Sequence, residues 1–350
     1  MNSVPNIYEK KKIHFSMAGR GDPWSHLTIT RKNILLALHE KHNVEELESI
    51  FGLSKKELLD EIQPLEEASL VKRENNFYIP QFFIANLEET QIIYEHSRKI
   101  GEILAESLIS KWKEIEASYK KLEISQDSSL KEQAFMLIGS RILDIGLLGA
   151  LVKDGSLLDS APLRPSPNRP DAKYYFWMIE GELVHLGKYG QEEIKLPWSD
   201  WYLLNFGQSW INNKRNEKRD SREEKCKEII ESNKAKNPGM LAKLLEVPYL
   251  NEKDSQIWGE TADKFSNILL KKYKESEEDL VSFYQSLGSS KYTHNSLGEF
   301  ICWYVHLAYV WAIDLLVEEK LIKIPPEYYS ELIIQRKEPD GFLSKANKNK

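Results

Sequence analysis

Between residues 28 and 80 the apolar positions recur at spacings that define elements one by one. Ile34, Leu35 and Leu38 share a face of a helix predicted over 29–40. Asn43 is placed to cap a second helix, VEELESIF, on which Val44, Leu47 and Ile50 or Phe51 form another apolar stripe. Gly52 supplies the permissive backbone of a tight turn. Ser54, with Glu57 three residues later, makes a capping box that opens a third helix, and Leu58, Leu59, Ile62 and Leu65 continue its core face. Pro64 predicts a bend or a late break near its end. Short strands at 70–73 and 77–79 follow, joined by a turn at Asn75 and Asn76.

Beyond this stretch the pattern is mainly helical. Ile93, Ile100, Leu104, Leu108, Trp112 and Ile115 mark long helical spacing over 86–121, and a further helix is predicted over 131–155. Four prolines at 160–171 exclude a regular helix there. The β-favouring run 174–179 meets a turn at Glu180 and Gly181, so a hairpin is expected near 173–187. Residues 212–236 hold nine Lys and Arg against six acids and read as a solvated charged helix or linker. Helices are predicted over 258–288 and 295–322, ended by Pro325 and Pro326. The expected class is mainly α (α+β). Its parts are an arm at 1–26, a small module at 27–85, a largely helical region at 86–337 and a flexible tail at 338–350.

Three helices followed by a two-stranded hairpin, with Gly52 at the helix turn and Asn75-Asn76 at the tip, resemble the winged helix-turn-helix family over residues 28–80. The resemblance implies that the third helix enters the major groove of duplex DNA while the wing touches the neighbouring backbone. It places Lys55 and Lys56 on phosphate and Gln63 at a base edge. Lys72, Arg73, Asn75 and Asn76 fall on the wing, and Arg31 and Lys32 on the backbone from the first helix.

Charge neither forbids nor reinforces this. The 350 residues carry 48 Lys and Arg against 54 Asp and Glu, a net −6, which argues against a globally basic wrapper of nucleic acid but not against a local module. Residues 1–80 hold 11 Lys and Arg against 12 Asp and Glu. With only Cys226 and Cys302, a disulfide scaffold is excluded and a reducing cytoplasm is the expected setting. The apolar run 300–317 comes closest to a membrane span, but His306 and Asp314 within it favour a buried helix. No membrane partner is expected.

Signals for catalysis are weak. No H-E-x-x-H, Cys-x-x-Cys, GxSxG or phosphate-loop pattern occurs, and the expectation is a protein that is not an enzyme and holds no cofactor or metal. His39 and His42 share a helix face without an obvious third ligand. Basic neighbours Arg222, Lys225 and Lys227 favour a thiolate at Cys226. The 9 Trp, 16 Tyr and 12 Phe concentrate after the N-terminal module. There Trp177, Trp198, Trp201, Tyr202 and Trp210, with Arg164, Arg169 and His185, are a candidate effector pocket, and ordinary core and hairpin packing is the preferred reading of the same aromatics.

These readings add up to a DNA-binding transcription regulator, a homodimer with an effector-sensing C-terminal region. Two alternatives stand beside it: a protein-interaction module that docks a protein partner through its winged helix, and, more distantly, an enzyme with an aromatic pocket.

Overall fold

The computed structural model describes residues 7–75, 77–165, 169–208, 214–291 and 297–336. The chain is mostly helical with small sheets. A 3-10 turn at Ile7–Lys10 precedes strand β1 (Ile13–Arg20), and a second at Pro23–His26 leads into α1 (Ile29–His39), α2 (Val44–Phe51) and α3 (Lys55–Glu67). Local chemistry fixes these helix starts. Thr28 accepts the Arg31 N–H, and Asn43–Glu46 and Ser54–Glu57 both close capping boxes. Gly52, at φ 64°, takes the left-handed turn between α2 and α3. Pro64 does not break α3. Leu65 is buried on the same stripe as Leu58 and Ile62, and that packing offsets the hydrogen bond a proline removes.

Strands β2 (Val71–Glu74) and β3 (Phe77–Pro80) pair antiparallel, Val71 opposite Pro80 and Glu74 opposite Phe77. Then come β4 (Phe83–Ala85), α4 (Leu87–Ser110), α5 (Trp112–Tyr119), α6 (Leu130–Ala134), a π-helical stretch at Phe135–Asp144 and α7 (Ile145–Asp154). The middle of the chain supplies β5 (Lys173–Glu180), β6 (Tyr189–Lys195), β7 (Trp201–Gln208), α8 (Lys214–Glu231) and α9 (Pro238–Leu245). The remainder is β8 (Tyr249–Leu250), α10 (Glu252–Lys274), α11 (Glu277–Ser286), α12 (Leu297–Glu318) and β9 (Tyr329–Gln335). The single helix expected over 258–288 is therefore two, α10 and α11. The helical runs Leu130–Asp154 and Leu297–Glu318 are long and apolar enough to cross a membrane, and most of each apolar window is packed inside the protein.

Two expectations are corrected by one sheet. Residues 13–20 are not part of an irregular arm: β1 pairs antiparallel with β5 along its whole length, Ile13 opposite Glu180 and Arg20 opposite Lys173. Nor does β5 fold back on 182–187 as a hairpin. Leu183–Leu186 forms a short 3-10 helix, and the other neighbour of β5 is β4, in parallel. The physical reason is that β5 is apolar on both faces and needs cover on both. Tyr174, Phe176 and Met178 pack with Phe15, Ile34, Leu58 and the rest of the N-terminal module. Tyr175, Trp177 and Ile179 pack into the helical region beside Trp303 and Tyr304. The sheet β1-β5-β4 is thus a wall shared by two cores.

A second wall lies on the far side. The sheet β6-β7-β9-β8 sends Tyr202, Leu204, Phe206, Leu332 and Ile334 into the helical core. Its opposite face, Trp201, Leu203 and Ile333, meets Cys226 and Ile229 of α8 and Leu241 and Leu245 of α9. Between the walls, α4 and α12 pack closely. Gly101 allows this, because a Cβ there would lie 2.4 Å from Cβ of Trp311 and 2.8 Å from the Ala308 carbonyl oxygen.

Candidate nucleic-acid interface

Helix α3 turns Leu58, Ile62 and Leu65 inward. Lys55 and Lys56 of its first turn and Gln63 are consequently exposed, as are Lys72, Arg73 and Asn75 of the hairpin. Asn75 sits at φ 56°, in the left-handed region that a hairpin tip asks for and that Asn tolerates better than most residues. Asn76 and Trp210 lie outside the described residues, as does the segment 338–350.

The cations differ in how far they are committed. Lys72 pairs with Glu74 at 3.1 Å, and Arg73 lies 5.9 Å from the centre of the Tyr78 ring and donates to the Asn75 carbonyl at 3.4 Å. Both pairs are surface arrangements that a phosphate can displace at little cost. Arg31 is different. Its Nε donates to Glu61 at 2.8 Å, a terminal nitrogen donates to the His26 carbonyl, and the side chain is only 17% exposed. It pins α1 to α3, and the phosphate contact expected of it is corrected to a structural one. Lys32 lies over the ring of Phe15 at 5.5 Å, on the β1 side of the module. Gln63 donates to Glu67 at 2.9 Å, one turn along the same face.

Acids share the α3 surface. Glu57 and Asp60 are exposed beside Lys55 and Lys56, and Glu67 is exposed at the far end of the helix. The Ser54 hydroxyl and backbone N–H hold the Glu57 carboxyl below its usual range, so it stays ionised at the helix start. The basic groups therefore bracket α3, with Lys55 and Lys56 at its first turn and the hairpin near its last. Those ends stand roughly 18 Å apart at 1.5 Å per residue.

The proposed aromatic pocket does not assemble. Trp177 and Tyr202 face the helical core from two different sheets, whereas Trp201 stacks on Tyr249 in the α8–α9 layer, their centroids 5.4 Å apart. Trp198 joins that layer and donates its indole N–H to the Lys236 carbonyl. His185 is buried in the 3-10 turn after β5, its carbonyl accepting from the Trp303 indole at 3.0 Å, while Arg169 is exposed. Arg164 is sealed in an ion pair with Glu299, both side chains 1% exposed. Large aromatics were bound to be buried, and their sequence proximity did not put them on one side of a sheet. A cleft of about 520 Å³ lies elsewhere, and its described lining includes none of these residues.

Two further expectations change. Burial pushes the Cys226 thiol up to about 11, outweighing the nearby Arg222, so its basic neighbours do not make a thiolate. His39 and His42 diverge: His42 lies 3.3 Å from Glu46, while His39 turns inward. There it meets a junction that the sequence pattern did not reveal. Ser289 donates its hydroxyl to Glu89 and its backbone N–H to the same carboxylate at 2.8 Å, and its Oγ lies 3.4 Å from His39 Nε2. With the hydroxyl proton committed to Glu89, the imidazole Nε2–H is the donor to Oγ. Burial drops the His39 imidazole to about 4, so it is neutral at pH 7. This order, with serine between acid and histidine, joins α1 to α4 and does not make a nucleophile primed by a base. The acids Asp154, Glu180 and Glu182 are each paired with a lysine, Lys274, Lys11 and Lys12 respectively. Isolated charges inside apolar runs, such as Glu299 in LGEFICWYV, were the signal that could have revealed the buried junctions.

No protein-family profile, curated protein or solved structure matches this chain.

Proposed function

We propose that residues 27–85 are a winged helix that binds duplex DNA, and that the protein is a transcription regulator acting as a homodimer. The region 86–337 then supplies dimerisation and effector sensing. One observation carries this reading. Helix α3 presents its polar face to solvent, with Lys55 and Lys56 at one end and Lys72 and Arg73 beside the other. A helix of this kind fits a major groove about 12 Å wide, with the phosphates of each strand at its margins. Gln63 is the side chain placed to meet a base edge, after exchanging its bond to Glu67.

A second reading is favoured by Glu57, Asp60 and Glu67 on the same exposed face. Acids there repel phosphate and suit a protein partner with a basic surface.

Binding of the full chain to fragmented genomic DNA, followed by sequencing, separates the two. The DNA reading expects enriched sequences and affinity that falls with salt. It also expects the Lys55→Gln/Lys56→Gln and Lys72→Gln/Arg73→Gln variants to lower the salt slope by about one for each phosphate left without its cation. No enrichment, with the same weak binding in both variants, sinks it and leaves the docking reading.

A further inference from the structure

The 520 Å³ cleft opens where α12 passes α4 and the start of β6, and its size suits a small ligand. Arg98 of α4, Lys188 just before β6, and Trp311 and Asp314 of α12 line it, with Ile324 and Tyr328 from the segment after α12. Asp314 is occupied on both oxygens, by the Lys188 ammonium at 2.5 Å and the Tyr189 hydroxyl at 3.1 Å. Lys188 and Asp314 thus answer each other's charge, as Arg98 and Glu102 do, and what the two cations retain is unused N–H donors. Lysine has three donors and one goes to Asp314, while Arg98 uses Nε on Glu102 at 3.1 Å. The Arg98 guanidinium lies 5.4 Å from the centre of the Trp311 ring, and the indole N–H is anchored on the Tyr94 carbonyl. The cleft thus offers spare cationic donors beside a fixed aromatic surface and the apolar side chain of Ile324.

We propose that this cleft binds a small organic monocarboxylate. The carboxylate takes charge-assisted hydrogen bonds from Arg98 and Lys188, and a flat or aliphatic body lies along Trp311 and Ile324. Exposed Glu318 on the lining disfavours a second negative charge on the ligand. The site also has a mechanical connection. On α12, Asp314 lies roughly 22 Å from Glu299 at 1.5 Å per residue. Arg98 is on the same helix as Glu89. Glu299 accepts the N–H groups of Phe83 and Phe176, and Glu89 reaches His39 of α1 through Ser289. Use of the cleft as a regulatory site rests on the DNA-binding reading; the ligand site itself does not.

Calorimetric titration of the full chain with phenylacetate, hexanoate, adipate and benzylamine tests it without nucleic acid, so its failure is separate from failure of the DNA reading. At least one monocarboxylate is expected to bind with a Kd of about 1 mM or tighter. Adipate and benzylamine are expected to bind at least about tenfold more weakly, and Arg98→Gln and Lys188→Gln each to weaken the acid by roughly tenfold. Arg98 is exposed, so its variant keeps the fold, which the melting curve checks. The proposal is overturned if neither monocarboxylate binds, if benzylamine binds as well as they do, or if folded Arg98→Gln binds them unchanged.

Discussion

Helix α12 carries two ion pairs that are alike in chemistry and opposite in surroundings. Near its start, Glu299 meets Arg164 at 2.5 Å with both side chains 1% exposed. Further along, Asp314 meets Lys188 at the same distance with 21% and 28% exposed. The first pair has lost its water and is held by other partners. Glu299 accepts the backbone N–H groups of Phe83 and Phe176, and Arg164 donates to the Tyr174 and Gln81 carbonyls. Burial still raises the Glu299 carboxyl above its usual range, against the pull of Arg164 and those two N–H groups. The second pair keeps part of its hydration and can exchange partners. Solvent, more than distance, separates an anchor from a receptor.

Glu299→Gln is the strongest way to break this comparison. It keeps the shape but leaves a buried guanidinium uncompensated, and should cost about 3–5 kcal/mol in urea unfolding. A loss no larger than that of a surface pair would show that burial does not distinguish the two. The His39 junction sharpens the comparison through pH. Its folded value, about 4, is depressed from 6.5, so its contribution is complete above pH 6.5 and is lost as pH falls toward 4. Unfolding measured across that window should show stability declining by about 3 kcal/mol, with a flatter profile in His39→Gln. The smallest effect belongs to Lys188→Gln. Its partly hydrated pair should change stability by less than about 1 kcal/mol, even as it weakens a carboxylate ligand. If its melting temperature falls as far as that of Glu299→Gln, the open pair is an anchor after all.

Local signals made α1, α2, α3 and the β2–β3 hairpin legible. Caps at Thr28, Asn43 and Ser54 and the stripe Leu58, Ile62 and Leu65 act within a few residues, so neighbours in sequence suffice. Strand β1 was not legible, because its partner β5 lies far along the chain and nothing in IHFSMAGR names it. The same limit applied to the ligand-binding candidates. Trp177, Trp201 and Tyr202 announced burial, but which side of which sheet each joins depends on pairings among distant strands. Cys226 shows a further failure: its basic neighbours in sequence matter less than the apolar layer around it. Exposure of Lys55, Lys56, Lys72 and Arg73 followed directly from the helix and hairpin patterns, while the Arg31–Glu61 bond needed α1 and α3 to be packed.

By itself the sequence determined a mainly helical chain, the elements of the N-terminal module and the cations that module shows to solvent. Periodicity and capping depend on interactions a few residues long, and no distant partner can be substituted for them. Tertiary structure alone decided that one apolar strand would seal two cores, that Arg164 would disappear into an ion pair, and that Lys188 and Arg98 would line one cleft. Those outcomes depend on desolvation, and the loss of water at a charge is set by whatever the rest of the chain brings to cover it.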